Sequence, residues 1–470
     1  MAGDQRVLLV GWDAVDGEAV SHLLDEGRLP NLAAILAGGA RTTLEGYPGL
    51  GDDAHWSSFA TGTPPGIHGR FHFEQAAPGD YQQTMIRRDR PGPVDTWWSR
   101  LGRLGATATV IDVPKSPFVP TPGVDEVVDW MAHGADADDP TASSDPLAAL
   151  VQRHRPHGAF AECHRIDDDE SGVRRHLDQV AERRDAFGDG VRAWLADHPA
   201  DVTVVVFASA HCVGHRAPFD GPDGDRVAAE MEALDDQLGR LVAAWGGDPR
   251  RVGVLSLLGM FTAPDAGPEA EATVRALNRR WLVRHPRIGW KAVAKIVKAR
   301  LRRQQGPVPT ADAFTTVKLI APATVVRVNL VGRQRRGIVP ADKLDEVCDW
   351  LVARLSEMTD ATGRRALTAV YRTDAALPGP RHDALGDVVA VWGLRRPGRV
   401  RTSVTDVVPD DPRPSTAGDH RTGGWLISGG GLELPGATVM VDELGALTAG
   451  WLGFDQASAA ASFDPTALTE

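Results

Sequence analysis

Cysteine is scarce in this chain. The three present in 470 residues, Cys163, Cys212 and Cys348, are far apart and odd in number. That excludes a disulfide framework and a paired-cysteine zinc module, and it fits a reducing compartment. No run of 18 apolar residues occurs, and MAGDQ leads straight into Val7–Val10 without a basic segment or a signal-length apolar run. Neither a transmembrane segment nor a secretory leader is therefore expected, and the reading is a cytoplasmic protein. Basic residues are not in excess either: 51 Lys and Arg stand against 63 Asp and Glu, for a net charge of −12. Affinity for nucleic acid as a polymer comes from Lys and Arg neutralising phosphates, so this balance argues against such a partner while leaving room for a small anion held locally. No internal repeat is visible, and nothing in the sequence fixes an oligomeric state.

What is present suffices for a core. The hydrophobic share is 42%, and 50 Gly with 33 Pro stay below low-complexity levels. Short β-branched runs recur between helical patterns: 6–12, 107–112, 202–208, 252–257, 324–330, 367–372, 387–392 and 424–428. Nearly continuous apolar strands alternating with helices predict an α/β fold, a mainly parallel central sheet with helices on both faces. In such sheets the loops at the carboxyl ends of strands collect the chemistry, so the residues after Trp12, Ala208 and Leu257 and the turn 415–422 merit attention. Two stretches read as insertions. Residues 120–200, rich in Asp, Pro and His, form an expected cap, and 266–320 an expected basic helical insertion. Within the latter, 279–303 carries ten Lys and Arg and no acid, with Lys291, Lys295, Lys298 and Arg302 on one helical face. That face reads either as solvated or as a contact for an anionic substrate or a peripheral membrane surface.

Candidate metal ligands lie on loops expected to share that edge. Asp13 follows the first strand in VLLVGWD, and FASAHCVGH sets His211 and His215 four residues apart, on one turn of helix. His420 lies in the Gly-rich segment AGDHRTGGWLISG. Three imidazoles and a carboxylate suit a borderline-soft divalent ion, zinc being the expected one. The run Gly51-Asp52-Asp53 adds two adjacent acids, which read as further ligands or catalytic carboxylates, or as a plain acidic turn. Arg333, Arg335 and Arg336 follow another strand and are candidates for gripping an anion, Arg333 first, with surface solvation as the alternative reading.

The segment GRLPNLAAILAGGARTTLEGYPGLGDDAHWSSFATGTPPGIHGR, with VGWDAVDG before it, resembles the N-terminal signature of the type I phosphodiesterase/nucleotide pyrophosphatase branch of the alkaline phosphatase superfamily. VVVFASAHCVGH, VLSLLGM, RVNLVGRQRRGIV, LGDVVAVW and GDHRTGG resemble further parts of that branch, in family order across nearly the whole chain. The resemblance implies a single alkaline phosphatase-like domain over 1–470, interrupted by insertions, and a two-metal site that clamps a small anionic ester. His215 and His420 match ligands of one ion, and His211 stands where the family usually has Asp. Asp13 matches the strand-end Asp of the other ion. The family's SDHG, however, reads Ser256-Leu257-Leu258-Gly259 here, and its nucleophilic Thr falls on Asp52. The expectation is a hydrolase or transferase of a phosphate or sulfate ester with about one zinc-like ion and a partly dismantled second site. The alternative is a member without catalysis that binds a ligand or partner.

Overall fold

In the computed structural model the described residues are 5–76, 79, 83–85, 94–131, 139–155, 170–221, 223–262, 267–291, 294, 312–317, 323–393, 399–407 and 418–455. The strands are β1 (Val7–Trp12), β2 (Ala40–Glu45), β3 (Glu74–Ala76), β4 (Gln83–Met85), β5 (Ala108–Ile111), β6 (Val124–Val128), β7 (Thr141–Ala142), β8 (Val202–Phe207) and β9 (Val252–Thr262). After them come β10 (Phe314–Val317), β11 (Ala323–Val328), β12 (Leu367–Arg372), β13 (Val388–Trp392), β14 (Val400–Arg401), β15 (Asp406–Val407), β16 (Gly418–Ser428) and β17 (Thr438–Met440).

Among the described residues nine strands form the main sheet, in the order β17-β2-β16-β9-β1-β8-β5-β6-β7. Only β16 and β7 run against the others. The mainly parallel α/β sheet read from the sequence is the fold observed. β1 and β8 are buried at every position, because side chains on both pleat faces meet a layer of helices or loops. On one face Leu8, Val10 and Trp12 pack with Phe187, Phe207, Met231 and Leu238. On the other Val7 and Leu9 pack with Trp56, Phe59, Trp98 and Leu255. Each large apolar side chain so buried contributes about 1.5–3 kcal/mol.

The later strands are arranged differently from the pattern reading. β11, β12 and β13 leave the main sheet and join β10 in a separate antiparallel sheet, ordered β10-β11-β13-β12. An apolar run such as TVVRV reports burial and says nothing of strand direction, so the two arrangements look alike in sequence. The helix Gly267–Arg284 covers this sheet through Ala270, Val274, Leu277 and Trp281, and is thus part of the smaller layer. Most of the basic face (Lys295, Lys298 and Arg302) lies outside the described residues. In the 120–200 stretch, β6 and β7 extend the main sheet and the helix Glu170–Asp197 places Phe187, Val191, Trp194 and Leu195 in its core. Among the described residues no helix is long and apolar enough to cross a membrane.

Candidate active site at the carboxyl edge of the main sheet

Parallel pairing of β1 with β8 puts Trp12 beside Phe207, so the segments leaving both strands start at the same level. Asp13 N–H bonds Phe207 O at 2.9 Å, and the helix Ser209–Arg216 begins two residues beyond β8. This delivers Asp13 and His211 to one point. β16 enters the edge antiparallel to β9 with His420 opposite Met260, bringing the third histidine from a distant part of the chain. Gly418 is what lets β16 come close: an added Cβ would lie 2.0 Å from Gly214 O, in the middle of the histidine helix.

His211, His215 and His420 meet. All three are buried, and one ligand atom from each lies within 4.8 Å of the others. Ring centroids are 4.7 Å apart for His211–His215 and for His211–His420, and 5.1 Å for His215–His420. Second partners orient two of the rings. His211 Nδ1 lies 2.8 Å from Asp13 Oδ2, and His215 Nδ1 lies 2.8 Å from Gly418 O. A carbonyl accepts only, so His215 donates through Nδ1 and its Nε2 carries the lone pair. A carboxylate behind Nδ1 of His211 fixes the same tautomer. The two Nε2 atoms then face each other at 3.0 Å, and two lone pairs at that separation repel unless a cation or a proton lies between them. The donor set and its tautomers fit one divalent ion with nitrogen ligands.

Asp13 itself points elsewhere than at an open coordination place. Its Oδ1 accepts from Trp56 Nε1 at 2.7 Å while Oδ2 holds His211, so it orients the His211 ring. Trp56 lies in the segment GDDAHWSSFATG, and its indole role appears only in three dimensions. Leu257 and Leu258 are each 1% exposed. Ser256 accepts from Val15 N–H at 3.1 Å and donates to Leu258 O at 2.8 Å. No metal donor is offered there.

Asp52 and Asp53 open the helix Asp52–Thr61, which is buried along its whole length. Between their carboxylates sits Lys115, whose Nζ is 3.7 Å from Asp52 Oδ2 and 3.8 Å from Asp53 Oδ2. Lys115 follows β5 in a turn and has φ 58°, and sequence reading passed over it. The signal was available: a cation four residues beyond the end of a parallel strand, the edge where chemistry collects. Burial alone would raise the Asp52 carboxyl, but the positive charge around it, the Lys115 ammonium foremost, holds it below the usual carboxylate range. His68, in the HGR segment, orders a turn by accepting from Arg70 N–H at 3.0 Å and pairing with Ser58 Oγ at 2.9 Å.

Arg333 is engaged within the protein. Its guanidinium donates to both Asp387 oxygens at 2.7 Å and to Val328 O at 2.7 Å. It borders a cavity of about 1110 Å³ beside the smaller sheet, which none of the three histidines lines. Arg327 and Arg381 line the same cavity.

None of the curated proteins matches this chain. Among solved structures, phosphonoacetate hydrolase from Sinorhizobium meliloti 1021 in complex with phosphonoformate aligns with 14% identity over 96% of each chain at a TM-score of 0.53. The same enzyme in complex with phosphonoacetate gives 15% identity, 96% of each chain and 0.52. Wild-type alkaline phosphatase PafA gives 11% identity, 97% of each chain and 0.54. At such identities the likeness shows the fold, an alkaline phosphatase-like one. The family model described as type I phosphodiesterase / nucleotide pyrophosphatase matches residues 7–396. Spanning most of the sequence, that match and the fold together place the chain in the type I phosphodiesterase/nucleotide pyrophosphatase family.

Proposed function

We propose that this protein is a single-metal hydrolase of a small phosphate ester, with His211, His215 and His420 holding one zinc-like divalent ion. The observation that carries the reading is the pair of Nε2 atoms facing each other at 3.0 Å while each ring's Nδ1 is held by an acceptor. When bound, the ion supplies a Lewis acid for a non-bridging phosphate oxygen. Asp13 keeps His211 in its ligating tautomer and Gly418 O does the same for His215. Asp52, at the place of the family's nucleophilic Thr and kept ionised beside Lys115, is the attacking carboxylate. Attack on phosphorus breaks the ester P–O bond, the alcohol departs with a proton from solvent, and water then hydrolyses the aspartyl phosphate. Helix N-terminal peptide dipoles at Asp52 and Asp53 favour the anionic state by about 0.3–1 kcal/mol. Family membership supports this substrate class, and the fold is shared with a phosphonoacetate hydrolase and an alkaline phosphatase.

The test is turnover of bis-p-nitrophenyl phosphate, p-nitrophenyl phosphate and p-nitrophenyl sulfate with zinc or manganese, by the wild-type chain, His215→Ala and Asp52→Asn. Phosphate-ester activity lost in both variants supports the reading. Leu257 and Leu258, packed where a second ion's ligands are implied, favour one competing reading, a member that binds a ligand without turning it over. Traces identical in all three proteins would establish that one instead.

A further inference from the structure

The second cation of the family pattern does not fit this chain. Leu257 and Leu258 fill the positions of two of its ligands with buried hydrocarbon, and both oxygens of Asp13, the third, are committed to Trp56 and His211. Yet the carboxylates that such an ion would neutralise are doubled: Asp52 and Asp53 are adjacent, 6% and 5% exposed. Asp53 Oδ2 is buried and has no hydrogen-bond partner among the described residues. Two adjacent buried carboxylates without a compensating cation are unstable against protonation or unfolding.

One cation does reach them. The Lys115 ammonium is nearly equidistant from the two, at 3.7 and 3.8 Å, with its side chain 20% exposed. Those distances are electrostatic contacts longer than hydrogen bonds, so the three ammonium protons retain capacity for an incoming acceptor. The backbone is arranged for this placement at a cost. Lys115 is left-handed, at φ 58°, a conformation that a β-carbon disfavours. Ser57, on the same helix as the two acids, donates to Lys115 O at 3.4 Å, and Ser116 N–H closes the turn on Val113 O at 3.4 Å. The turn after β5 is thereby tied to the helix whose acids it serves.

We infer that Lys115 replaces the second metal ion: its ammonium, bridging Asp52 and Asp53, supplies the fixed positive charge opposite the histidine-held ion and receives an oxygen of the anionic substrate. This rests on the three-histidine ion proposed above. It explains how a chain lacking two ligands keeps a pair of carboxylates at that place, since a covalently attached cation needs no ligand set. It also fixes the charge of the site, one unit lower than a divalent ion would give, which favours a substrate of lower negative charge, a diester over a monoester.

The experiment is a manganese titration of the zinc-loaded full-length chain, read by the EPR signal of free Mn²⁺, with bound zinc measured in parallel by mass spectrometry. Manganese reports on oxygen-rich sites because it prefers carboxylate ligands. The wild type should hold about one zinc and bind manganese only weakly. In Lys115→Met, with the ammonium gone and its bulk kept, manganese affinity should rise about tenfold while zinc is unchanged. Lys115→Arg, which keeps the charge, should behave as the wild type and controls for folding. A wild type that already takes manganese tightly overturns the inference, as does a Lys115→Met protein that binds no more than the wild type while retaining zinc. A wild type that binds no zinc at all refutes the underlying three-histidine reading, a distinct outcome.

Discussion

Replacing Asp13 by Asn is the sharpest probe of the site, because it changes one buried atom and leaves the shape intact. Asp13 accepts two hydrogen bonds, from Trp56 Nε1 at 2.7 Å and from His211 Nδ1 at 2.8 Å, and both donors are buried. An asparagine can satisfy only one. With its NH2 turned to Trp56, two donors confront each other at the indole. With its NH2 turned to His211, that ring must expose a lone pair at Nδ1 and a proton at Nε2, the atom that faces His215. A buried donor left without its acceptor costs about 1–3 kcal/mol. Loss of the partner behind a metal-ligating histidine weakens binding roughly 10–100-fold, equivalent to about 1.4–2.8 kcal/mol, so the two routes to the number agree. The assay is competition for zinc against a chromophoric chelator, with thermal unfolding of metal-free and zinc-loaded protein beside it. Asp13→Asn should lose about 10–100-fold in affinity and most of the thermal shift that zinc confers. Affinity within twofold of the wild type, in a protein where His215→Ala abolishes binding, would refute the role assigned to Asp13.

Further expectations follow from individual contacts. Gly418→Ala sets a Cβ 2.0 Å from Gly214 O, so β16 and the histidine helix must separate; zinc content should fall well below that of the wild type in mass spectrometry of a protein with unchanged far-UV circular dichroism. Arg333→Ala strands Asp387, 7% exposed at its side chain, without its bidentate partner, and should destabilise the fold by about 3–5 kcal/mol in denaturant unfolding while leaving zinc content unchanged. His55 is pushed down from 6.5 to about 4, first by burial, and its ring accepts from Tyr47 N–H while Nδ1 meets Gly51 O. Between those values the unfolded chain binds a proton that the folded chain refuses. His55 therefore contributes fully above pH 6.5 and its contribution is lost as pH falls toward 4, at a slope of about 1.4 kcal/mol per unit. Denaturant titrations across that range should show the slope reduced by one proton in His55→Gln.

The class of fold was legible because β1, β5 and β8 are short, nearly uniform apolar runs, and burial of both faces of a parallel sheet leaves that trace at every position. β2 was missed for the opposite reason: its ARTTLE alternates and is largely exposed, so it pairs at the sheet's margin without an apolar signature. The histidines were legible as residue types suited to one ion, with His211 and His215 at helical spacing. Their meeting with His420 required the register of β16 on β9 and the absence of side chains at Gly418 and Gly214, which no local pattern encodes.

The residue types and their order along the chain determined, without any coordinates, which chemistries were within reach: three imidazoles, a strand-end carboxylate, an acid pair, and leucines at two places where metal ligands are implied. Tertiary structure alone decided the division of labour among them. Asp13 turns to His211 and Trp56, Arg333 turns to Asp387, and Lys115 arrives between Asp52 and Asp53 from a turn more than fifty residues away. The physical reason is that a side chain's role depends on which donors, acceptors and charges surround it at 3–4 Å. In a sheet whose neighbours come from distant parts of the chain, those surroundings are set by strand order and register, and residue identity enters only afterwards.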